Sequence, residues 1–180
     1  MYAMGNGESD WWRRALGASW AAGLRYRCVT TSGRLTTPEA RAWTGLLRAH
    51  AALMRDVDRE LRRAHGLPLS WYDVLQAVAC APGRRLRMGQ LADRVMLTRA
   101  GLSGLIDRLE SAELVERRPC DGDARGTYAV VTPRGLELLE RAARTHRDAV
   151  RSRYTGCFDD AELELLGRMC ERVAAAGRRD

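Results

Sequence analysis

The feature that most constrains this chain is a break in rhythm between two long helical stretches. From Trp43 through Leu46, Leu47, His50, Leu53, Met54, Val57, Leu61 and Ala64, the residues of one face recur every three or four positions. The same spacing returns from Leu136 through Leu138, Leu139 and Ala142 toward Val150 and Tyr154. That is the period of a helix with one side to bury. Between the two stretches the period survives only in short bursts. Leu91, Ala92 and Val95 line one side of a short helix over residues 88–95; after a turn at Met96 and Leu97, Leu102, Leu105, Ile106 and Leu109 line a second that starts with Thr98. Two short helices joined by a tight turn form a helix-turn-helix. Residues 114–118 and 128–132 are then β-prone and flank a segment with Asp121-Gly122 turn chemistry, which reads as a hairpin with a charged tip.

Punctuation supports this order. Thr37, Pro38 and Glu39 supply a hydroxyl cap, a proline at the first helical position and a first-turn carboxylate, and Gly66 and Pro68 end that helix. Ser70 is expected to cap a second helix, with Asp73 three residues on and Val74, Leu75 and Val78 inward, stopping before Ala81, Pro82 and Gly83. A last helix from about Asp159 turns Leu163, Leu165, Leu166, Met169 and Val173 inward. The fold class is therefore mainly α with a small β-hairpin wing: a winged helix-turn-helix flanked by dimerisation helices. Long helices at both ends leave more apolar stripe than one subunit of this size covers, which argues for a homodimer.

Residues 1–36 stand apart, with Trp11, Trp12 and Trp20 between Gly-, Ser- and Thr-rich ends. Trp12, Leu16, Trp20 and Leu24 would share one face of a short helix. An accessory helix on the domain or a partner subunit is the first reading, a mobile extension the second and an interfacial membrane helix the third. The domain proper is residues 37–180, with a compact reading module at about 69–132 between dimerisation helices at about 37–66 and 133–177.

Charge and composition narrow the function. There are 30 basic against 23 acidic residues, a net charge of +7, and every basic residue is Arg. Such a chain is suited to a polyanion. The five cysteines, Cys28, Cys80, Cys120, Cys157 and Cys170, are scattered with no C-x-x-C pair. His50, His65 and His146 form no H-x-x-x-H pair, so neither a disulfide scaffold nor a metal site is expected, and no cofactor. Phosphate-loop, nucleophile-elbow and zinc-protease motifs are missing, which argues against an enzyme and leaves no catalytic residues to name. Apolar runs are far shorter than the roughly 20 residues of a membrane span, and residues 11–24 are too interrupted for an export signal. The expected address is the cytoplasm, with no membrane partner.

Several pieces in order resemble the multiple-antibiotic-resistance regulator (MarR) family of winged-helix transcription factors. They are Met88-Gly89-Gln90-Leu91-Ala92, Leu109-Glu110, Leu114-Val115-Glu116-Arg117, Asp123-Ala124-Arg125 and Val131-Thr132-Pro133-Arg134-Gly135. Val131 stands where the family usually has Leu, Cys120 sits in the wing, and the N-terminal segment exceeds the minimal domain. The resemblance covers about residues 37–175. It implies a homodimer whose first and last two helices interlock while two winged modules face double-stranded DNA and read a pseudo-palindromic operator.

On that reading Arg99 is the leading candidate for a base-edge contact, with Ser103 as a shorter-range partner and Gly104 permitting close approach. Thr98 is either a plain N-cap or a phosphate contact. Arg125, at the Asp-x-Arg position of the wing, reaches the minor groove or its phosphates, and Asp123 orients it. Arg117 and Arg118 contact the backbone or are exposed strand charges; Arg84, Arg85 and Arg87 are secondary candidates, and Arg108 is equally an ion-pair partner. Regulators of this kind commonly bind small aromatic or phenolic anions, and Trp43, His50, Trp71, Tyr72 and Asp73 are candidates for lining such a crevice. Ordinary core packing and helix capping are the alternatives. The Trp-rich leading helix with Asp73 also resembles the urate-responsive branch, although Leu105 stands about where that branch has Arg. The functional expectation is a repressor released by such an effector. One alternative is a thiol switch at Cys120 beside Arg118. Another is a protein-docking regulator without specific DNA binding.

Overall fold

The computed structural model describes residues 35–95, 99–120 and 123–176, with the backbone alone at 99, 100 and 123–125. The Trp-rich helix expected at the start of the chain lies outside the described residues. Two units are distinguished, one ending at Arg55 and the other beginning at Asp56.

In the first unit the described residues begin helix α1, Thr37–His65. A reciprocal capping box starts it. Thr36 donates to Glu39 Oε2 from its backbone N–H at 2.6 Å and from its hydroxyl at 2.8 Å, and Glu39 N–H returns a bond to Thr36 Oγ1 at 3.5 Å. These bonds, backbone first, hold the Glu39 carboxyl below its ordinary pKa. The cap is therefore Thr36 and not the expected Thr37. Both carry hydroxyls, but only Thr36 lies three residues before the glutamate that answers it.

In the second unit the end of α1 buries Val57 and Leu61, and α2, Leu69–Ala79, buries Leu69, Tyr72, Val74, Leu75 and Val78. The expected Ser70 cap is not formed. Pro68 sets an extended entry and the helix begins at Leu69, so Ser70 falls inside it. The orphan N–H of Leu69 is taken at 2.9 Å by Asp58 of α1, a carboxylate from the neighbouring helix doing the work of a local cap.

A 3-10 turn at Pro82–Arg84 leads into strand β1, Arg85–Arg87, which no local pattern announces. Helix α3 is Met88–Val95, as expected from the spacing, and α4 is Arg99–Ser111. The hairpin strands are longer than their β-prone runs: β2 is Val115–Cys120 and β3 is Asp123–Val131. The sheet is antiparallel with strand order β1-β3-β2. The wing thus has three strands, not two.

The chain leaves the wing through a tight corner. Thr132 caps α5, Pro133–Arg153, by accepting from Gly135 N–H at 3.0 Å, and its hydroxyl donates to Glu113 O at 2.7 Å. A Cβ at Gly135 would lie 2.2 Å from Leu114 O, so only glycine lets the helix start this close to β2. A capping box of Asp159 and Glu162 starts α6, Asp160–Ala176. Here the expectation of an inward stripe fails within the chain. No residue of α6 is buried; Leu165, Met169 and Val173 are 47%, 48% and 68% exposed.

Candidate nucleic-acid interface

Helix α4 is held by the stripe its spacing announced. Leu102, Leu105, Ile106 and Leu109 are between 0% and 2% exposed, against α3 and β2. Burial of each such side chain is worth about 1.5–3 kcal/mol, enough to fix the helix's rotation about its own axis. The opposite face is thereby turned outward: Ser103, Asp107 and Arg108 are exposed and Gly104 partly so. A Cβ at Gly104 would meet nothing within 4 Å, so its smallness is not used inside the chain. Arg99 opens α4. Thr98 and the turn before it lie outside the described residues.

The wing is tied to this helix by one side chain. From β2, the Arg117 guanidinium bonds Glu110, reaches Asp107 Oδ1 at 2.7 Å, and donates to the backbone oxygen of Ser103 at 3.3 Å. Glu110 also accepts from Arg117 N–H at 2.7 Å. Desolvation opposes the charge, but the hydrogen bonds to Asp107 and Glu110 outweigh it and raise the guanidinium's pKa. Residues 103, 107 and 110 lie on one line of α4, so the brace sets the helix's height and tilt against the sheet. Arg118, next along β2, points to the other face, where it pairs with Glu116. Asp123 and Arg125 lie at the start of β3, past the hairpin tip. Cys120 is only 5% exposed.

An open cleft of about 830 Å³ lies between α3, α4 and the sheet. Arg87, Gln90, Ser103 and Arg117 line it together with Met88 and Leu102, so its walls mix polar and apolar surface.

The residues expected to meet an effector are divided. Trp43 and His50 are exposed on the first unit's part of α1. In the second unit, Trp71 is half-buried and Tyr72 stacks on His146 of α5, with ring centroids 4.5 Å apart and planes at 14°. Burial pushes the His146 pKa down and Asp73 opposes it; burial pushes Tyr72 up, with Asp73 and Cys80 adding and Arg147 opposing. His65 Nε2 lies 2.9 Å from Thr145 Oγ1 on the same helix. His146 and Thr145 were not singled out by the sequence. Their partners lie more than 70 positions away, and no local pattern reports such a pairing. Among the described residues no helix is long and apolar enough to cross a membrane.

Two short helices with a shared buried face, a polar outer face on the second and a three-stranded wing braced to it define a winged helix-turn-helix protein. A model of the MarR family matches residues 65–126. The transcriptional regulator FarR of Neisseria gonorrhoeae is 32% identical over 69% of this chain and 77% of its own. A Streptomyces coelicolor MarR family regulator, Sco3205, solved in complex with DNA, is 36% identical over 82% of this chain and 95% of its own, with a TM-score of 0.76. AbsC, another such regulator from the same organism, is 30% identical over 83% of this chain and its whole length, with a TM-score of 0.77. The chain belongs to the MarR family and is a transcriptional regulator.

Proposed function

We propose that this regulator is a homodimeric repressor that reads a pseudo-palindromic operator in the cytoplasm and releases it on binding a small aromatic or phenolic effector. The observation that carries the DNA reading is the fixed orientation of α4: its apolar stripe is fully consumed inside the chain, and Arg117 locks it to the wing. An α-helix so presented fits a major groove. Arg99 takes a base edge, with Ser103 beside it and Gly104 allowing the groove wall close. Thr98 bonds a phosphate at the helix N-terminus. Arg125, oriented by Asp123, enters the minor groove, and Arg118 takes the backbone. Arg117 serves the interface by bracing α4.

Residues 69–132 then form the reading part, with 37–66 and 133–177 as dimerisation helices and 1–36 as an extension. The exposed stripe of α6 supports the dimer, because a second copy would cover it. The effector reading rests on Trp71, Tyr72 and Asp73, where an aromatic stack joins α2 of the reading part to α5; Trp43 and His50, in the first unit, are not used in it. An effector acts there only by binding the DNA-free state more tightly. Cys120 stays outside this reading, since an oxidant must first reach a sulfur that packing covers.

The test is fluorescence anisotropy on DNA from upstream of the protein's own coding region against scrambled DNA, across a salt series. Wild type should prefer the upstream duplex, and Arg99→Ala and Arg125→Ala should each lose about 1–3 kcal/mol of that preference. Unchanged binding in both variants would remove these residues from the interface. Equal weak binding of wild type to both duplexes would favour the protein-docking alternative.

A further inference from the structure

After leaving the wing, α5 packs on the reading part chiefly through α2, and α2 in turn packs on α3, β1 and β3. Whatever holds α2 against α5 therefore sets where the helix-turn-helix and the wing stand relative to the helix that carries them. Two consecutive residues of α5 make that joint. Thr145 Oγ1 lies 2.9 Å from His65 Nε2 at the end of α1, and the His146 ring stacks on Tyr72 of α2.

The two contacts answer a proton differently. A hydroxyl can accept from a ring nitrogen or donate to it, so the bond between His65 and Thr145 forms with either charge state of the ring. The stack has no such freedom. Tyr72 is 3% exposed and His146 is half-buried over it, so an imidazolium there gives up part of its water. The groups around the ring are Tyr72 and Asp73 from α2, with Cys80 at that helix's end acting on Tyr72, His65 from α1 beside Thr145, and Arg147 on α5 itself. Burial disfavours the charged ring and Asp73 favours it; burial wins. Proton uptake thus selects a joint in which His146 faces water, and that requires α2 to part from α5.

We infer that the contact between Tyr72 and His146 is a proton-operated latch: when His146 takes up a proton, α2 parts from α5, the two reading parts of a dimer lose their fixed spacing, and the operator is released. The inference rests on the DNA reading and the dimer above and adds a mode of control to them. Its expected sign opposes the general trend, because a falling pH makes any basic chain more positive and tightens its hold on phosphate.

The experiment titrates the full chain by fluorescence anisotropy on the segment of its own upstream DNA protected in a footprint and on scrambled DNA. Salt is fixed, pH runs from about 8 to about 5, and helical circular dichroism is recorded alongside. Wild-type affinity for the upstream duplex should fall about tenfold as pH drops below 6.5, the ordinary value of the ring, while binding to scrambled DNA does not weaken and the helical signal holds. His146→Phe keeps a ring on Tyr72 but takes no proton; it should bind as wild type does at about pH 8 and show no fall. His65→Gln should fall as wild type does. Because linkage is reciprocal, adding the upstream duplex to wild type should move the His146 titration midpoint down in the NMR spectrum, a reading that needs no variant. Affinity that held or rose as pH fell would overturn the proposal, showing that Asp73 and the Tyr72 face keep the charged ring in place. A fall retained in His146→Phe, lost in His65→Gln or accompanied by loss of helical signal would overturn it as well, as would a His146 midpoint unmoved by DNA. Failure of wild type at about pH 8 to prefer the upstream duplex over scrambled DNA would instead sink the reading on which it rests.

Discussion

Helices α4 and α6 carry nearly the same message and meet different fates. Each has a leucine-rich stripe at helical spacing, Leu102, Leu105, Ile106 and Leu109 in one and Leu163, Leu165, Leu166, Met169 and Val173 in the other. The first stripe is sealed to within 2% exposure by α3 and the wing; the second leaves Leu165, Met169 and Val173 about half or more exposed. Periodicity says that a face will be covered, but not by what. The DNA-reading module is complete within one chain, and α6 is half of something. In the proposed dimer a second copy supplies the other half, and binding two half-sites at once then depends on the helix farthest from the groove-reading residues in sequence.

That contrast can be broken from either side. The largest effect is expected at Leu109, where truncation to alanine should cost about 2–5 kcal/mol by denaturant unfolding compared at one protein concentration. A loss below about 1 kcal/mol would mean that the α4 stripe is not core. Next comes the paired change Leu165→Glu with Met169→Glu. Sedimentation should show a folded monomer, and operator affinity should fall about a hundredfold as two linked half-sites become independent. Unaltered self-association would show that α6 is covered in some other way. Arg117→Ala should cost about 1.5–3 kcal/mol of stability, because it removes charge-assisted bonds to Asp107 and Glu110. Operator binding should weaken with little change in the salt slope, since a brace rather than a phosphate contact is lost; a slope lower by ~0.9 would return Arg117 to the backbone.

The smallest effect concerns pH. Burial holds His146 below its ordinary value of 6.5 in the folded chain, so the unfolded chain takes up the proton first as pH falls. Stability contributed by the neutral, stacked ring is therefore present above pH 6.5 and lost below it, down to the folded value. His146→Phe keeps a ring on Tyr72 and should flatten this acid-side decline in thermal midpoint; an unchanged decline would place its origin elsewhere.

How far the sequence spoke depends on whether the determining contacts were local. The boundaries of α3 were legible because eight residues carry their own amphipathic pattern. Strand β1 was not, because Arg-Leu-Arg alternates over only three residues and is a strand only by pairing with β3, more than 40 positions later. The cap on α2 was misread for the same reason: Ser70 is the local candidate, while Asp58 reaches in from the preceding helix. At α1 two adjacent threonines competed and the spacing to Glu39 decided. The site divides likewise. Its outward face on α4 followed from the stripe on the other side, but the Arg117 brace joins a strand to a helix line and could only be seen folded.

The central claim, one complete reading module per chain and two chains per operator, is tested most directly by the mass of the complex. Light scattering after size exclusion, on a duplex carrying the protected upstream segment, should give two chains of 20.1 kDa per duplex, and the Leu165→Glu/Met169→Glu variant should leave that complex dissociated at the same concentration. One wild-type chain per duplex, bound as tightly as wild type binds in the anisotropy titration, would contradict the account.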